Sequence, residues 1–508
     1  MPAVAGNSVA LAPEDEVTHF SALVASVQGT RAGQPGDPVI EGIAFDSRRV
    51  QPGHLFVALP GRRTNGLDFL PEAISRGAVA VLAQSAPPAG GDLPWVQVPD
   101  ARAAMAAVAR AFHGAPDDDL MVAGITGTNG KTSTAILLAA ACEAAGRPAG
   151  LVGTLGSRLG GGFRPGPLTT PEAPDLYALL DEMRSHHRKA AILEVSSIAL
   201  EQKRVEGLAF DLAVFTNLTR DHLDFHRNMN HYFAAKASLF AGLPPHAATA
   251  VNLDDPFGTR LLSPSRPRVV TYGRTTRADL FPTEFHATSA GLCAVLHTPA
   301  GSVKITSRLL GLANLYNILA AMAAAHALDL DLQRAAQGIA SIHEIPGRAQ
   351  RIDAGQDFTV LVDYAHTDDA LVSILEVARS LTDQRVVVVF GCGGDRDRTK
   401  RPLMGGAAAR LADRAILTTD NPRGEDPGAI LDEISAGFRE ARGPAVLLVE
   451  PDRAAAIHAA IQEARPGDVV VIAGKGHENE QILGDHRIPF DDREVVRQAL
   501  RSRLGKGA

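Results

Sequence analysis

The stretch from residue 121 to residue 135 reads MVAGITGTNGKTSTA and has the features of a phosphate-binding loop. An apolar, strand-like run leads into Gly127 and Gly130, and Lys131 and Thr132 then open a helical run. Glycines allow backbone N–H groups to face inward, and the start of a helix adds its positive end, so the segment predicts an anion cradle between a strand and a helix. In such a cradle the lysine can reach the outer phosphates of a nucleotide, and the threonine hydroxyl can ligate Mg²⁺.

The spacing of this loop departs from the general P-loop pattern G-x-x-x-x-G-K-[ST], because Ile125 stands where the first glycine should be. A plain glycine turn with a solvated lysine is the alternative interpretation. The joint presence of strand, glycines, Lys-Thr and helix favours a nucleotide site.

Bulk composition limits the classes of protein to consider. A chain of 508 residues is too long for one core, since single cores stop growing at roughly 250 to 300 residues. Hydrophobic residues make up 45% and charged residues 21%, and no apolar run approaches the roughly 18 residues of a membrane span. The net charge of −7 argues against a general nucleic-acid binder. We expect a soluble protein of two to four domains, without a nucleic-acid partner or a membrane span.

The amino terminus and the cysteines bear on the compartment. The first residues, MPAVAGNSVALAPEDEV, lack a basic region and soon meet acids, so they do not resemble a signal peptide. Cys142, Cys293 and Cys392 are widely spaced and form neither a paired disulfide framework nor a CxxC metal site. Both features predict a protein of the reducing cytoplasm.

Apolar runs along the chain predict an α/β fold of three domains. Residues 38 to 110 read as short mixed elements, and the central part alternates strands and helices as in a parallel sheet wrapped by helices. After IPGR, five strand candidates alternate with helical stretches, which is typical of a Rossmann-like sheet. The predicted domains are a small mixed α/β domain at residues 1–115, a central P-loop-type ATPase domain at 116–345 and a Rossmann-like domain at 346–508.

The loop TGTNGKTS is similar to the nucleotide loop of the Mur ligase family, whose shared pattern is G-T-x-G-K-[ST]. The spacing that departs from the general P-loop is therefore the family's own. The resemblance covers nearly the whole chain and implies ATP as co-substrate with Mg²⁺. It places ATP contacts in the loop at Gly127, Thr128, Asn129, Gly130, Lys131, Thr132 and Ser133.

Three further residues match the family's metal-site pattern. Glu194 ends the strand-like AAILEVSS, where doubly wound sheets place ligands, and His222 and Lys236 follow in NLTRDHLDFH and HYFAAKASLF. Taken singly, the last two read as a loop histidine and a solvated helix lysine. In the family, however, the matching lysine is carbamylated, and a CO₂ adduct turns its cation into an anion that supports a metal. The resemblance implies Lys131, Glu194, His222 and Lys236 as catalytic, and Thr132, Glu194, His222 and the Lys236 carbamate as metal ligands.

Other segments resemble the base, ribose and γ-phosphate contacts. Asn314 and Asn317 in LLGLANLYNIL are three residues apart, so they can share one helix face near the base, although helix capping is the alternative. Ala313 stands where a phenylalanine is common, which puts base stacking in doubt. Arg348 in IPGR resembles the arginine that reaches the γ-phosphate, and Asp363 in VLVDYAH resembles the ribose-side acid. These two would meet the loop only if the last domain closes.

The segment AFDSRRVQPGHLFVALPGRRTNG is similar to the module that holds the UDP end of the substrate in the family's tripeptide-forming members. Two departures from the family's pattern lie elsewhere in the chain. Ile198 replaces the histidine of the usual EVSSH, which we interpret as an adjustment of the site and not as loss of activity. Asp368 replaces a proline in DYAHTDDAL, which predicts a looser turn. The implied contacts to UDP-MurNAc-L-Ala-D-Glu are Phe45, Ser47, Arg62, Arg63, Thr64, Thr169, Thr170, Ser196, Gln202 and Arg204.

The sequence DNPR at residues 420–423 resembles the signature of members that add meso-diaminopimelate. This amino acid has a second carboxylate that an arginine can bind bidentately, whereas lysine ends in a cation that arginine would repel. The implied acceptor contacts are Arg396, Asp420, Asn421, Pro422, Arg423, Gly474 and Glu478.

The resemblance implies ATP-dependent amide formation at the γ-carboxylate of D-glutamate through an acyl phosphate, in peptidoglycan precursor synthesis and so in cell-wall growth, cell shape and division. A monomer is expected. One alternative is the same reaction with L-lysine or another diamino acid. A non-catalytic nucleotide-binding scaffold is suggested only by Ile198 and Ala313, and a nucleic-acid-dependent ATPase is disfavoured by the acidic balance.

Overall fold

The computed structural model describes residues 17–33, 35–61, 64–88, 92–160, 162–262 and 268–505. Arg62 and Arg63, two of the predicted UDP-side contacts, lie outside the described residues. The chain divides into two compact units: the first comprises Met1–Gly124, Arg147–Asp211 and Ala241–Pro244, and the second Ile125–Gly146, Leu212–Phe240 and Pro245–Ala508. The domain boundaries near residues 115 and 345 stay a prediction.

A five-stranded sheet forms the amino-terminal part of the first unit. Its strands are β1 (Thr30–Gly33), β2 (Gly42–Ala44), β3 (His54–Ala58), β4 (Ala78–Ala83) and β5 (Pro94–Gln97), and its helices are α1 (Phe20–Val24), α2 (Leu70–Ser75) and α3 (Ala101–Phe112). The strand order is β1-β5-β4-β3-β2, with β1 antiparallel to β5 and the other pairs parallel. The apolar runs HLFVA and AVAVLA are buried almost throughout because parallel strands are covered on both faces.

The central part of the chain contributes seven strands and seven helices. The strands are β6 (Met121–Thr126), β7 (Ala149–Gly153), β8 (Gly156–Arg158), β9 (Ala190–Glu194), β10 (Leu212–Phe215), β11 (Ala248–Asn252) and β12 (Val269–Tyr272). The helices are α4 (Lys131–Ala144), α5 (Ala173–Ser185), α6 (Ser197–Glu201), α7 (Leu223–His226), α8 (Met229–Ala241), α9 (Gly311–Ala327) and α10 (Leu332–Ala340). In the first unit β7 is parallel to β9 and antiparallel to β8, and in the second unit β10, β11 and β12 pair in parallel.

A three-stranded antiparallel sheet was not predicted from the sequence. It consists of β13 (Phe281–Thr288), β14 (Gly291–Thr298) and β15 (Gly301–Ser307). The alternation of exposed and buried residues along β15 is typical of a sheet with one face in water.

The carboxy-terminal part of the second unit is a six-stranded sheet with helices on both faces. Its strands are β16 (Gln350–Arg351), β17 (Thr359–Asp363), β18 (Val386–Phe390), β19 (Arg414–Leu417), β20 (Val446–Val449) and β21 (Val469–Ala473), followed by the hairpin β22 (Glu480–Leu483) and β23 (His486–Pro489). The helices are α11 (Asp368–Ser380), α12 (Lys400–Leu411), α13 (Pro427–Ala441), α14 (Arg453–Glu463) and α15 (Asp492–Arg503).

Strand order explains why distant sequence motifs come together in this sheet. The order is β16-β17-β21-β18-β19-β20, parallel except for β16, so the last strand in sequence lies between β17 and β18. The segments that follow β17, β18, β19 and β21 therefore leave the same edge, where doubly wound sheets bind ligands. Successive residues alternate between faces: Leu361 packs with α11 to α13, and Val360 and Val362 with α14 and α15.

The predicted α/β class with parallel sheets is confirmed. The looser turn expected at Asp368 is wrong: this residue is the first of α11, capped by the Thr367 side chain, and the first helical turn accommodates an acid as readily as a proline. Within the described part of the chain, no helix has the length and apolar character needed to cross a membrane.

Candidate functional site

In the loop between β6 and α4, neighbouring side chains lie very close to the backbone of two glycines. Gly127 and Gly130 have φ values of 154° and 85°. A Cβ atom on Gly127 would lie 1.8 Å from Thr216 Oγ1, and one on Gly130 would lie 2.4 Å from Asn317 Oδ1. Neither position has room for a side chain, which accounts for both glycines.

Two lysines converge on the carbonyl of Gly127. Lys131 Nζ donates to this oxygen at 2.9 Å and to the Thr128 carbonyl at 2.9 Å, and Lys236 Nζ from α8 donates to the Gly127 carbonyl at 2.7 Å. Lys236 is fully buried and lies 4.5 Å from the centre of the Tyr232 ring. Burial, and next the charge of Lys131, hold the pKa of Lys236 well below its usual range. The environment of Lys236 therefore favours the uncharged amine over the ammonium form.

The segment after β10 completes the loop and was missed by the sequence analysis. Thr128 N and Asn129 N donate to the carbonyl and side-chain oxygens of Asn217, each at 2.9 Å. Thr216 Oγ1 donates to the Asn129 carbonyl at 2.6 Å. The polar TNLT directly after the apolar DLAVF is the signal that could have identified these residues.

His222 lies at the end of this segment, just before α7, with a left-handed backbone at φ 53°. Its Nε2 is 3.3 Å from Asp221 Oδ2, and its ring meets Tyr232 edge-on at 6.2 Å. Burial lowers the pKa of His222 to about 4 even though the Asp221 charge opposes the shift. The imidazole is consequently neutral at physiological pH and free to act as a ligand through a ring nitrogen.

Several polar contacts join the phosphate loop and its neighbours to the carboxy-terminal sheet within the second unit. Arg348 Nη2 donates to Thr132 Oγ1 at 3.1 Å, and Asn129 Nδ2 donates to an oxygen of Asp369 at 3.1 Å. Arg220 Nη2 lies 3.3 Å from Asp397 Oδ2. The sequence predicted that Arg348 meets the phosphate loop only when the last domain closes, and this contact is present here.

Arg348 and Asp363 lie near each other at the carboxy-terminal sheet. The Arg348 guanidinium lies 4.7 Å from the centre of the Tyr364 ring, and the Asp363 carboxylate accepts from Ala349 N at 2.6 Å. Burial raises the pKa of Asp363. Arg348 also borders a cavity of about 320 Å³, lined by Ser289, Ala290, Arg308, Leu309, Leu310, His343, Glu344, Arg348, Ala349 and Arg351.

Asn314 and Asn317 share one face of α9, as predicted. Asn317 Nδ2 donates to Asn314 Oδ1 at 3.0 Å, and Asn314 Nδ2 donates to the Leu310 carbonyl at 2.8 Å. The residue at the helix N-cap is Leu310, so neither asparagine caps the helix. Ala313 is exposed on the first turn and has no ring to offer to a base.

The acceptor motif DNPR follows β19, and Arg423 has a left-handed backbone at φ 52°. Its Nη1 donates to the carbonyls of Gly394 at 2.8 Å and Asn421 at 3.4 Å, and within the described residues no carboxylate lies at ion-pair distance from it. Burial, and next the charge of Arg396, lower the pKa of Arg423. The guanidinium thus remains open to an anion.

The loop of this arginine also contains Asp420. Beside it, in the segment after β21, lie Gly474 and Glu478. Glu478 Oε2 accepts from Asn421 Nδ2 at 2.8 Å and from Lys475 Nζ at 3.0 Å. A Cβ on Gly474 would lie 2.6 Å from Asp420 Oδ2. The motif AGKGHE predicts only Gly474 and Glu478 as contacts, and the buried Lys475 between them was not predicted.

In the first unit, the predicted dipeptide contacts form a connected network around the end of β9. The Glu194 carboxylate accepts from Thr154 N at 2.8 Å and from Thr154 Oγ1 at 3.0 Å, and Thr169 Oγ1 is 3.1 Å from the same hydroxyl. Thr170 Oγ1 donates to the Glu194 carbonyl at 2.8 Å and accepts from Ser196 N at 3.1 Å. The structure therefore brings Thr169, Thr170, Glu194 and Ser196 together.

Arg204 extends the same network. Its Nη1 donates to the Thr170 carbonyl at 2.9 Å, and its Nη2 donates to Gln202 Oε1 at 2.6 Å. Its Nε lies 3.0 Å from an oxygen of the buried Glu172, which also receives Arg102 at 3.0 Å. Glu172 balances two cations and was not singled out from the sequence.

Of the predicted UDP-side residues, Phe45, Ser47 and Thr64 are described, and they lie between strands of the five-stranded sheet. Ser47 Oγ donates to Glu72 Oε2 at 2.7 Å. The Phe45 ring packs against the Arg49 guanidinium at 5.3 Å, and the Thr64 carbonyl accepts from Gly61 N at 3.0 Å.

Within the residues that the structure describes, no group of three or more His, Cys, Asp or Glu side chains gathers at metal-binding distance. The donors expected for a metal are Thr132, His222 and the Lys236 carbamate in the second unit and Glu194 in the first.

Comparison with known proteins agrees with this geometry. Residues 39–113 match the Mur ligase family catalytic domain, residues 125–325 the Mur ligase middle domain, and residues 347–476 the Mur ligase glutamate ligase domain. A UDP-N-acetylmuramoyl-L-alanyl-D-glutamate--2,6-diaminopimelate ligase from Solibacter usitatus is 48% identical over 465 residues, which cover 91% of this chain and 94% of the relative. The chain belongs to the Mur ligase family.

Solved structures of other Mur ligases support the same assignment. One, a UDP-N-acetylmuramoyl-L-alanyl-D-glutamate--2,6-diaminopimelate ligase, is 34% identical and aligns with a TM-score of 0.63 over 92% of this chain and 96% of its own. MurF from Thermotoga maritima in complex with ADP is 19% identical, with a TM-score of 0.65 over 92% and 98% of the two chains, and shows the shared fold. In this Mur ligase the middle-domain match contains the phosphate loop, His222, Lys236 and both asparagines of α9.

Proposed function

We propose that this Mur ligase joins meso-diaminopimelate to the D-glutamate γ-carboxylate of UDP-MurNAc-L-Ala-D-Glu, with ATP as the energy source. The observation that carries the choice of acceptor is the Arg423 guanidinium, which has no carboxylate partner in the described part of the chain and lies in the loop of Asn421, whose side chain donates to Glu478. A ligand with a carboxylate and an ammonium group suits this pair of charges. The names of the relatives point to the same acceptor.

The phosphate loop is proposed to bind ATP. The N–H groups at the start of α4 would receive the phosphates, since those of Thr128 and Asn129 donate to Asn217, and Lys131 would stabilise the charge on the transferring phosphoryl group. Arg348 would contact the γ-phosphate, because it already touches the Thr132 hydroxyl. Asp363 would take the ribose, and the amides of Asn314 and Asn317 the base.

Magnesium is proposed to accompany ATP. In the second unit the Thr132 hydroxyl supplies an oxygen donor, and the low pKa of His222 keeps its ring available as a neutral ligand. In the first unit the Glu194 carboxylate is a hard oxygen donor at the carboxyl end of β9. When bound, Mg²⁺ would neutralise phosphate charge during transfer.

Lys236 is proposed to be carbamylated. An amine adds to CO₂ through its uncharged form with loss of a proton, and burial lowers the pKa of Lys236, which favours that form. The carbamate would also place a negative charge beside Lys131, whose Nζ shares the Gly127 carbonyl with Lys236. Native mass spectrometry should find an adduct of one CO₂ that Lys236→Met lacks; its absence from active wild-type enzyme would refute the proposal.

The first unit is proposed to bind the UDP-linked dipeptide. Phe45, Ser47, Arg62, Arg63 and Thr64 would hold the nucleotide end. The network of Thr169, Thr170, Ser196, Gln202 and Arg204 presents hydroxyl, amide and guanidinium groups, which suit the carboxylates and amides of the muramyl-dipeptide.

The reaction we propose has two chemical steps. A γ-carboxylate oxygen of D-glutamate attacks the γ-phosphorus of ATP, the bond to ADP breaks, and an acyl phosphate results. The amine of diaminopimelate then attacks the activated carbonyl, and phosphate leaves from a tetrahedral intermediate with loss of a proton. Lys131 and Arg348 would stabilise charge on the phosphoryl group, and no protein nucleophile is needed.

We further propose that the enzyme works as a monomer in the cytoplasm, as the three free cysteines favour a reducing compartment.

The decisive experiment measures phosphate release from ATP with UDP-MurNAc-L-Ala-D-Glu and, in turn, meso-diaminopimelate, L-lysine and other diamino acids. We expect turnover that requires the dipeptide substrate and is fastest with meso-diaminopimelate. Turnover with L-lysine and none with meso-diaminopimelate would establish the alternative acceptor. No turnover with any acceptor would favour the non-catalytic scaffold.

A further inference from the structure

Lys475 is a fully buried cation in the acceptor region that the proposed reaction does not use directly. It lies in the loop after β21, and its Nζ donates to Asn421 Oδ1 at 3.1 Å and to Glu478 Oε2 at 3.0 Å. Glu478 is the carboxylate at ion-pair distance from it. Since a buried ammonium group is costly without a counter-charge, the lysine and the glutamate hold each other in place.

The two donors on Glu478 leave its other oxygen available. Oε2 accepts from both Lys475 Nζ and Asn421 Nδ2, whereas Oε1 has no donor within the part of the chain that the structure describes. The side chain is 28% exposed, while that of Lys475 is 0% exposed. The carboxylate is therefore held from the buried side and offers one oxygen outward.

Asn421 couples this carboxylate to the arginine of DNPR. Its Oδ1 accepts from Lys475 Nζ and from Ile482 N at 3.0 Å, and its Nδ2 donates to Glu478. Its own carbonyl accepts from Arg423 Nη1 at 3.4 Å. One buried residue thus sets the relative positions of an outward carboxylate oxygen and an unpaired guanidinium.

We propose that Lys475 is a positioning residue that fixes Glu478 to receive the distal ammonium group of the acceptor, while Arg423 receives the carboxylate on the same carbon centre. The proposal rests on the proposed function and adds a specificity determinant to it. Without the Lys475 ammonium, Glu478 keeps a single donor and can rotate towards solvent, so recognition of the distal ammonium is lost while ATP binding is untouched.

The test compares two acceptors with three variants of the full-length enzyme. Lys475→Met should raise KM for meso-diaminopimelate roughly tenfold or more, with KM for ATP unchanged and kcat little affected. With L-2-aminopimelate, which keeps both carboxylates but lacks the distal amine, KM should be high for wild type and hardly change in the variant. Lys475→Gln keeps an amide donor in the same space and should give an intermediate KM, so the comparison does not depend on the apolar variant folding.

Arg385→Met is the matched control, because Arg385 pairs with the buried Asp468 at 2.6 Å at the opposite edge of the same sheet. It should lower thermal stability without changing KM for the acceptor. An equal rise in KM for both acceptors, or no rise in either lysine variant, would overturn the inference. Failure of wild type to use meso-diaminopimelate would instead refute the proposed function, so the two failures are distinguishable.

Discussion

The phosphate loop and the acceptor region are both built at carboxyl ends of parallel strands, yet they are assembled differently. The loop is a contiguous stretch whose lysine, Lys131, donates to the Gly127 and Thr128 carbonyls of the same stretch, while Thr216 and Asn217 bond its backbone from the segment after β10. The acceptor region is gathered from segments after β18, β19 and β21, and it leaves Arg423 without a carboxylate in the described residues. The difference indicates that most residues for ATP binding can lie in one short stretch of sequence. The residues that choose the acceptor must instead be brought together by the fold.

The largest effect is expected from removing the loop's cation. Lys131→Ala should lower kcat with every acceptor by roughly a hundredfold to a thousandfold, because charge on the transferring phosphoryl group loses a preorganised donor. Lys304→Ala, at an exposed position on β15, is the control and should leave phosphate release unchanged. A variant at Lys131 with near wild-type turnover would place the phosphoryl chemistry elsewhere.

A smaller and acceptor-dependent effect is expected from the other region. Arg423→Ala should reduce kcat/KM for meso-diaminopimelate by about tenfold to a hundredfold, the value of a charge-assisted hydrogen bond of about 1.5–3 kcal/mol, while KM for ATP stays the same. Arg442→Ala removes another arginine with a left-handed backbone and should have no effect on the acceptor. Equal losses for meso-diaminopimelate and L-lysine would mean that Arg423 does not read the second carboxylate.

Each region also contains one partly buried histidine whose pKa is lowered mainly by burial, to about 4 for His222 beside the loop and to about 3 for His477 beside Glu478. Both bind fewer protons in the folded than in the unfolded chain below the ordinary value of 6.5, so stability should fall as the pH drops from 6.5 towards 4. The slope contributed by each is at most about 1.4 kcal/mol per pH unit, and it is smaller for His222 because that side chain is 36% exposed.

Thermal midpoints between pH 7.5 and pH 5, without added divalent metal, measure this slope. His222→Gln and His477→Gln should each flatten it, and His486→Gln, at an exposed position on β23, should not. If only one of the two histidines contributes to the slope, the two regions differ in how strongly they disfavour protonation of their histidine. A slope unchanged by both variants would contradict the prediction.

The smallest effect is expected from restoring a ring beside the base. Ala313→Phe should lower KM for ATP about twofold to tenfold, since an aromatic contact is worth about 0.5–1.5 kcal/mol, and should leave KM for the acceptor unchanged. Leu312→Phe, at an exposed neighbouring position, is the control. No change in KM for ATP would show that the base does not contact this turn of α9.

The sequence predicts strands and contiguous motifs better than it predicts contacts between distant segments. The runs FTVLVDY and RVVVVFG predict β17 and β18 because both faces of a parallel sheet are buried. The sheet of β13 to β15 was missed because one face is exposed and polar residues interrupt its apolar pattern. The three strands are 8, 8 and 7 residues long, and the alternation along β15 is the period-2 signal of a half-buried strand, which was not recognised in the sequence.

The candidate site shows the same division. The facing amides of Asn314 and Asn317 follow from helical spacing, and their hydrogen bond agrees. The contacts of Asn129 with Asp369, and of Lys475 with Asn421, join residues that are far apart in the chain or hidden in the core. One sequence without the fold offers no means of pairing such residues, which is why they were found only in three dimensions.

The backbone at Arg423 has a consequence for engineering. A left-handed conformation costs a non-glycine residue about 1 kcal/mol, so glycine at this position would relax the chain and make it more heat-resistant. The same replacement would remove the guanidinium that we assign to the acceptor. Laboratory selection for heat resistance alone would therefore tend to erode discrimination between amino acids at this residue, and a screen for tougher variants should hold position 423 fixed.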